Sequence, residues 1–241
     1  MSRGIQLHVS GDHALFTRPE MKVERVSYDV ITPSAARGIV EAIYWKPQIR
    51  WIIDTIRVLK PIRFTSIRRN EVASKVTVKG ATGAASVMAK GHGMLGLDAD
   101  DPNVRQQRAA TVLRDVAYVI DAHFEIVDGD EAPGKHLDMF NRRARKGQCF
   151  HRPYLGTREF DCSFVLVEGD PPEPADFDDT LTGRRDLGFM LDDVHFVEDE
   201  KGPIIRSNDG QRVRAEPQFY RAIMVDGLID VAACRGQGVV G

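Results

Sequence analysis

The sequence predicts an α+β fold, and two kinds of pattern carry that prediction. Segments in which apolar and polar residues alternate, such as Ile5–Val9, are typical of half-buried strands. Two other segments, between Thr32 and Pro47 and over Lys135–Lys146, place apolar residues at helical spacing. The segments follow the order strand, helix, strand, strand, further strand, helix, strand. This is the split β-α-β, or ferredoxin-like, pattern that many RNA-binding proteins use.

The first helix has clear end signals. Thr32 offers a hydroxyl cap, and Pro33 suits the first helical turn. Pro47 cannot continue the helix, so it ends shortly before that residue. Tyr44 and Trp45 are therefore predicted to lie at its C-terminal end.

The chain after this helix is predicted to form strands. The apolar run Trp51–Leu59 and the alternating run Ile62–Ile67 flank Lys60-Pro61 and are interpreted as adjacent strands. The Gly- and Ala-rich segment Val72–Asp101 has little pattern, which predicts a long mobile loop or an extended hairpin. Within it, Gly91–Gly96 fits the G-x-G-x-x-G spacing, but no apolar strand leads into it and no convincing helix follows. Nucleotide binding at this segment is therefore not predicted.

The second half of the chain begins with a strand signal over Gln107–Val127. A helix follows over Lys135–Lys146, with Gly147 as its C-terminal cap. Beyond Phe160 we predict an antiparallel sheet, without a helix, packed against the preceding part of the chain. Its apolar runs are Cys162–Val167, Met190–Val197 and Phe219–Val225.

Charge is divided unevenly along the chain, although the formal net charge is only −2. Residues 1–166 contain 25 Lys and Arg against 19 Asp and Glu, a net charge of +6, whereas residues 167–241 contain 8 against 16, a net charge of −8. We therefore predict a basic domain over 1–166 and an acidic β-sheet portion over 167–241. Because a polyanion needs only a basic surface, this division is compatible with RNA or DNA binding. Ordinary solvated surface charge is the competing interpretation.

Composition excludes several classes of protein. The 42% hydrophobic and 28% charged content is ordinary for a globular protein. No apolar run approaches a membrane span and the N-terminal residues lack a signal-peptide pattern, so we expect a cytoplasmic protein with no membrane partner. The three cysteines include no C-x-x-C pair, and the seven histidines show no H-x-x-x-H spacing. Neither a disulfide framework, nor a sequence-local metal site, nor a cofactor is predicted.

Lys135-His136, at the start of the second helix, is the most chemically suggestive pair. The N–H groups and dipole of a helix start attract phosphate, and the ammonium adds a compact positive charge. Such a histidine can act as general acid or base while the lysine stabilises a negative phosphorane. A helix start without any role is the competing interpretation. Tyr44 and His123 are weaker candidates because each is more often a packing residue, although Lys46 or Lys135 would supply a cation near the tyrosine.

Long stretches of the sequence resemble the CRISPR-associated Cas-five-type family of subtype I-C, the Dvulg family. They span most of the chain: Gly11–Phe16, Thr17–Tyr28, Thr32–Lys46, Arg68–Val72, Arg105–Ala110, Gly134–Leu137, Leu155–Phe160 and Arg184–Gly188. The resemblance implies a ferredoxin-like (RRM-like) domain with an appended C-terminal antiparallel β-sheet. It implies metal-independent cleavage of precursor CRISPR RNA at the base of the repeat hairpin. It also implies that the protein keeps the 5′ handle bound and becomes a subunit of the type I-C surveillance complex.

The resemblance places the family's catalytic tyrosine and Lys-His pair at Tyr44, Lys135 and His136. RNA brings its own nucleophile, the 2′-OH, so the expected products are a 5′-OH and a 2′,3′-cyclic phosphate without help from a metal. We predict His136 as general acid or base, Lys135 as the stabiliser of transition-state charge, and Tyr44 as a group that positions RNA or assists proton transfer. Which group protonates the leaving oxygen stays open.

Most of the RNA-binding energy is predicted to be electrostatic and to come from the basic domain. The candidate contacts are Arg37, Arg68, Arg69, Arg105, Arg108, Arg142 and Arg143. Two alternative functions stay open: a non-catalytic subunit that holds the 5′ handle while another protein cuts, and a protein that binds duplex DNA during target recognition. The presence of Tyr44 with Lys135-His136 favours the nuclease.

Overall fold

The computed structural model describes residues 4–21, 23–73, 77–80, 83–93, 100–127, 132–174, 178–206 and 210–240. Over these residues the chain forms eleven strands and four helices. The strands are β1 (Gly4–Ala14), β2 (Arg25–Val26), β3 (Ile49–Val58), β4 (Phe64–Val72), β5 (Arg105–Ile126), β6 (Ser163–Leu166), β7 (Arg184–Glu198), β8 (Ile204–Arg206), β9 (Gln211–Val225), β10 (Leu228–Asp230) and β11 (Val239–Val240). The helices are α1 (Pro33–Ile43), α2 (Ala84–Lys90), α3 (Pro133–Arg145) and α4 (Val231–Gly236).

The described strands form one large, mostly antiparallel sheet, with the helices as minor elements. Its main path runs β11-β9-β10-β3-β5-β1-β6, while β2 and β4 pair with β5, and β7 and β8 pair with β9. At the centre, β6, β1, β5 and β3 are antiparallel neighbours. The prediction that the chain combines strands with helices is therefore confirmed. None of the described helices is both long enough and apolar enough to span a membrane.

The two predicted helices are confirmed, and both pack on the same core. Thr32 caps α1 by accepting the N–H of Ala35 at 3.3 Å. α3 buries His136, Phe140 and Ala144, which are spaced four residues apart and therefore lie along one face of the helix. His136 thus belongs to the stripe of α3 that faces the core.

The prediction that Trp51–Leu59 and Ile62–Ile67 are adjacent strands is wrong. β3 and β4 both pair with the same edge of β5, Val58 opposite Tyr118 and Phe64 opposite Leu113, so they lie end to end. Lys60-Pro61 does not reverse the chain, because it lacks the turn residues that a tight hairpin requires. β5 is 22 residues long and therefore accommodates both strands in succession.

The segment Val72–Asp101 is not only a loop or hairpin. Among its described residues, Ala84–Lys90 forms α2, as its Ala- and Met-containing sequence allows. Gly91, at φ 69°, ends this helix, so the first glycine of Gly91–Gly96 follows a helix instead of leading into one. The later part of that motif lies outside the described residues. A dinucleotide fingerprint needs the opposite order of elements.

The C-terminal strands predicted over Met190–Val197 and Phe219–Val225 are confirmed within β7 and β9, and the strand predicted over Cys162–Val167 is confirmed as β6. The expectation of no helix is wrong, because Asp230 caps the short α4 by accepting the N–H of Ala233 at 2.8 Å. The C-terminal strands also do more than pack on the preceding part. β10 pairs with β3 and so extends the same sheet.

Candidate active site

The predicted tyrosine and histidine meet where the C-terminal end of α1 lies against the first turns of α3. The hydroxyl of Tyr44 and Nδ1 of His136 are hydrogen bonded at 2.9 Å, although the residues are 92 positions apart in sequence. Tyr44 is the cap residue of α1 and has extended backbone angles, so the chain leaves the helix at this point. We call this contact region the α1–α3 junction.

The end of α1 is held by donors from three separate parts of the chain. The carbonyl of Ala42 accepts the N–H of Phe150 at 2.8 Å, and the carbonyl of Ile43 accepts the guanidinium of Arg143 at 2.8 Å. The carbonyl of the cap tyrosine accepts the indole N–H of Trp51 at 2.9 Å. Because the last carbonyls of a helix have no partner within it, these bonds fix where α1 ends and hence where the tyrosine ring points.

Aromatic rings surround the buried imidazole. The ring of His136 lies 5.9 Å from that of Phe124 in an edge-to-face arrangement and 6.0 Å from that of Tyr44. Trp51 packs beside them, with its ring 5.2 Å from Phe124 and 5.0 Å from Phe140. The pair is therefore placed by core packing, since edge-to-face contacts favour particular ring orientations.

The three predicted catalytic side chains differ in their access to solvent. Lys135 is exposed, whereas Tyr44 is 4% exposed and His136 is 0% exposed. The lysine is therefore accessible to a phosphate from solvent. Proton transfer between RNA and the imidazole requires either the tyrosine hydroxyl as intermediary or an opening of the junction.

Arg143 has a place in this site that the sequence analysis missed. Besides its bond to α1, its guanidinium lies 5.3 Å from the centre of the Tyr44 ring, a cation–π distance. It was predicted only as an RNA contact. Arg143 follows His136 by seven residues, or two helical turns of α3. This spacing predicts that the two side chains share one face of the helix.

His123, the other histidine considered, lies elsewhere. Successive side chains of a strand point to opposite faces, and Phe124 contacts His136, so His123 points away from the junction. Its Nδ1 lies 2.8 Å from both carboxylate oxygens of Asp54. This contact gives it a structural partner on the other face of the sheet.

The seven candidate arginines occupy three places. Arg142 and Arg143 are on α3, and Arg37 is on α1, while Arg68, Arg69, Arg105 and Arg108 lie on β4 and on the first part of β5. We call β4 together with residues 105–113 of β5 the β4–β5 arm. Arg108 and Phe124 are sixteen positions apart on β5, a separation of up to roughly 50 Å at the rise of an extended strand. The structure therefore does not bring the arm arginines close to the α1–α3 junction.

Several of these arginines already have carboxylate partners. Arg37 donates to Asp193 of β7 at 2.7 Å and lies 3.5 Å from Glu41. Arg69 pairs with Glu159, and Arg108 lies 3.6 Å from Glu71. Arg68, Arg105 and Arg142 are exposed and form no ion pair with any described carboxylate.

Two further observations concern metal ligands and cysteines in the described part of the chain. No three His, Cys, Asp or Glu side chains there are grouped to hold a metal ion. Burial raises the pKa of the Cys162 thiol to about 12, so it stays protonated and unreactive near neutral pH. The expectations of metal independence and of bystander cysteines stay predictions.

The chain matches a known protein family. A family model described as CRISPR-associated protein (Cas_Cas5) matches residues 4–232, so the chain belongs to this family of CRISPR-associated proteins, and the resemblance noted in the sequence is confirmed. Two relatives carry the name CRISPR pre-crRNA endoribonuclease Cas5d. The Mannheimia succiniciproducens protein is 50% identical over 234 residues, covering 96% of each chain, and the Thermus thermophilus protein is 39% identical over 234 residues, covering 95% of this chain and 91% of the relative.

A solved structure supports the same fold. It is described as a CRISPR-associated protein, is 24% identical in sequence, and superposes with a TM-score of 0.60 over 100% of this chain and 97% of that chain. At this identity the likeness concerns the fold alone.

Proposed function

We propose that this chain is an endoribonuclease that cleaves precursor CRISPR RNA at the base of the repeat hairpin. Its similarity to two pre-crRNA endoribonucleases, at 50% and 39% identity over nearly the whole chain, supports the activity. The observation that carries the chemistry is the 2.9 Å hydrogen bond between Tyr44 and His136, directly beside the exposed Lys135.

The proposed reaction is a transesterification within the RNA. The 2′-OH attacks the adjacent phosphorus, the bond from phosphorus to the 5′ oxygen breaks, and a 2′,3′-cyclic phosphate and a 5′-OH result. Lys135 stabilises the negative charge that develops on the phosphorane oxygens. His136 serves as general acid or base, and its bond to Tyr44 provides a path for a proton between the buried imidazole and the RNA.

The fold and the assembly belong to the same proposal. The order β1-α1-β3-β5-α3-β6 with neighbours β6-β1-β5-β3 supports a ferredoxin-like, RRM-like domain over 1–166. Residues 167–241 form its acidic β-sheet portion, which faces solvent or protein partners. After cleavage the protein keeps the 5′ handle and becomes a subunit of the type I-C surveillance complex in the cytoplasm.

One observation favours the alternative of a non-catalytic subunit that only binds the 5′ handle. His136 is 0% exposed, as expected of a histidine whose role is packing. In that case the protein would not cleave RNA but would still bind it. Binding of duplex DNA rests only on the net charge of residues 1–166 and is not included in the proposal.

A cleavage assay separates the two candidates. Purified protein incubated with the repeat RNA in EDTA should release a product that ends in a 2′,3′-cyclic phosphate. A 2′-deoxy substitution at the cut nucleotide should abolish cleavage, because it removes the nucleophile. Cleavage of the deoxy substrate would contradict the mechanism, and binding of the RNA without cleavage would favour the non-catalytic subunit.

A further inference from the structure

A cavity of about 430 Å³ lies next to the α1–α3 junction, between the outer face of α1 and residues 151–156. This volume is within the range of ligand pockets in proteins. Its lining includes Thr32, Gly38, Glu41 and Ala42 from the cap and body of α1, and His151 and Tyr154 from the facing segment. Ala42 precedes Tyr44 by two residues, so one end of the cavity lies at the same end of α1 as the proposed catalytic tyrosine.

The segment that faces α1 is firmly attached at both ends, so the cavity is already formed without a ligand. At one end the N–H of Phe150 donates to the carbonyl of Ala42 at 2.8 Å. At the other end the N–H of Leu15 donates to the carbonyl of Leu155 at 3.0 Å. Gly156 has φ 86°, and a Cβ atom there would lie 2.0 Å from the carbonyl oxygen of Leu15, so only glycine permits this close packing.

A glycine in the middle of α1 keeps the cavity open. Glycine is less favourable than alanine inside a helix, and Gly38 has helical geometry that any residue adopts. A Cβ atom added at Gly38 would meet nothing within 4 Å. Because Gly38 lines the cavity, a larger side chain at this position would occupy part of it.

The chemistry of the cavity suits a nucleobase. Apolar and backbone surface is combined with a few polar groups, among them the Glu41 carboxylate and the Thr32 hydroxyl. Unpaired RNA bases are recognised by this combination, through their flat faces and their hydrogen-bonding edges. Glu41 is partly buried, and this burial raises the pKa of its carboxyl above the usual value, while Arg37 at 3.5 Å opposes the shift.

A second hollow of about 350 Å³ adjoins the cavity and supplies positive charge. It shares His151, Pro153 and Tyr154 with the cavity, and its other lining groups are the guanidinium groups of Arg152 and Arg158 and the carboxylate of Asp161. A site for a base and a site for phosphates thus lie on the two sides of the same short segment.

We propose that the cavity binds one unpaired nucleobase of the precursor RNA next to the cleaved phosphate, and that Arg152 and Arg158 bind the neighbouring phosphates. The inference rests on the proposed function and extends it to the recognition of a single nucleotide. Glu41 favours a base edge that donates hydrogen bonds, as an exocyclic amine does.

The test measures binding of repeat RNAs in which each unpaired nucleotide next to the cut site is replaced, one at a time, by an abasic nucleotide. One abasic position should weaken binding to the wild-type protein about 10-fold, a typical effect of losing one bound base. Gly38→Leu should weaken binding of intact RNA by a similar factor, and the abasic substitution should then add nothing. Gly236→Leu is the matched control, since its added Cβ also meets nothing within 4 Å in α4, and it should bind as the wild type does.

Two further measurements keep the outcome clear. Circular dichroism melting establishes that Gly38→Leu is folded, and the double variant Arg152→Ala plus Arg158→Ala tests the phosphates by lowering the log-affinity against log-salt slope by about two. The inference fails if the wild-type protein cleaves the repeat RNA but shows no abasic penalty, or if Gly38→Leu keeps the full penalty. If the wild-type protein neither binds nor cleaves the RNA, the proposed function itself fails.

Discussion

The α1–α3 junction and the β4–β5 arm both carry residues that the sequence singled out, yet they are built in different ways. At the junction, Tyr44 and His136 are buried among aromatic rings and held by hydrogen bonds to sequence-distant groups. On the arm, Arg68 is exposed, whereas Arg69 and Arg108 are paired with carboxylates. Packing and hydrogen bonds fix the positions of the side chains at the junction. The arm instead presents positive charge that neighbouring carboxylates partly offset. Substitutions at the junction should therefore change rate, and substitutions on the arm should change affinity and its salt dependence.

The largest effect is expected at Lys135-His136. Lys135→Ala or His136→Ala should lower the single-turnover cleavage rate by about 10²-fold or more, the usual scale for a lost acid–base or charge-stabilising group, with little change in the RNA dissociation constant. Thermal unfolding should separate the two variants. His136→Ala leaves a cavity in the core and should lower Tm, whereas Lys135→Ala removes an exposed side chain and should not. Normal cleavage by His136→Ala would remove this histidine from the mechanism, and His123 would not replace it, because that side chain points to the other face of the sheet.

A smaller effect is expected from Tyr44→Phe, which keeps the ring and removes the hydroxyl that is bonded to Nδ1 of His136. If the phenol positions RNA or the imidazole, the cost should be near that of one hydrogen bond, about 1 kcal/mol or roughly a fivefold slower reaction. Single-turnover rates of the two proteins provide the comparison. A loss as large as that of His136→Ala would show instead that the phenol itself transfers a proton.

The smallest effect on rate, with a distinct effect on affinity, is expected on the arm. A phosphate-contacting arginine changes the slope of log affinity against log salt by roughly one unit. Arg68→Ala should show this change in a salt titration, whereas Arg69→Ala should show less of it because Glu159 already offsets its charge. Arg214→Ala, in the acidic portion and paired with Glu216, is the control and should leave the slope unchanged.

The double variant Arg68→Ala plus Arg69→Ala decides whether the arm contacts RNA at all. Unchanged affinity together with an unchanged salt slope would place the RNA on a different face. In that case the arginines nearer the junction, Arg142 among them, would be the ones to replace next.

Features set by local chemistry followed from the sequence alone. The start of α1 at Thr32-Pro33 and the end of α3 at Gly147 depend on capping and on helix breakers, which act within a few residues. The long matched stretches identified the family, and with it the residues Tyr44, Lys135 and His136. The short helix α4 was missed although Asp230 is a good cap, because six residues carry too little helical periodicity to be recognised.

Only the tertiary structure decided how distant segments meet. Nothing near Lys60 indicates that β3 and β4 share one edge of β5, because strand pairing depends on the partner as well as on the strand. The ion pair of Arg37 with Asp193 joins residues 156 positions apart, and no local pattern announces it. The contact of Tyr44 with His136 and the complete burial of that histidine arise in the same way. The sequence pointed to the side chains that we propose for the chemistry, and the packing of α1 and α3 on one sheet determined that Tyr44 and His136 touch, because burial and hydrogen bonding act through space and not along the chain.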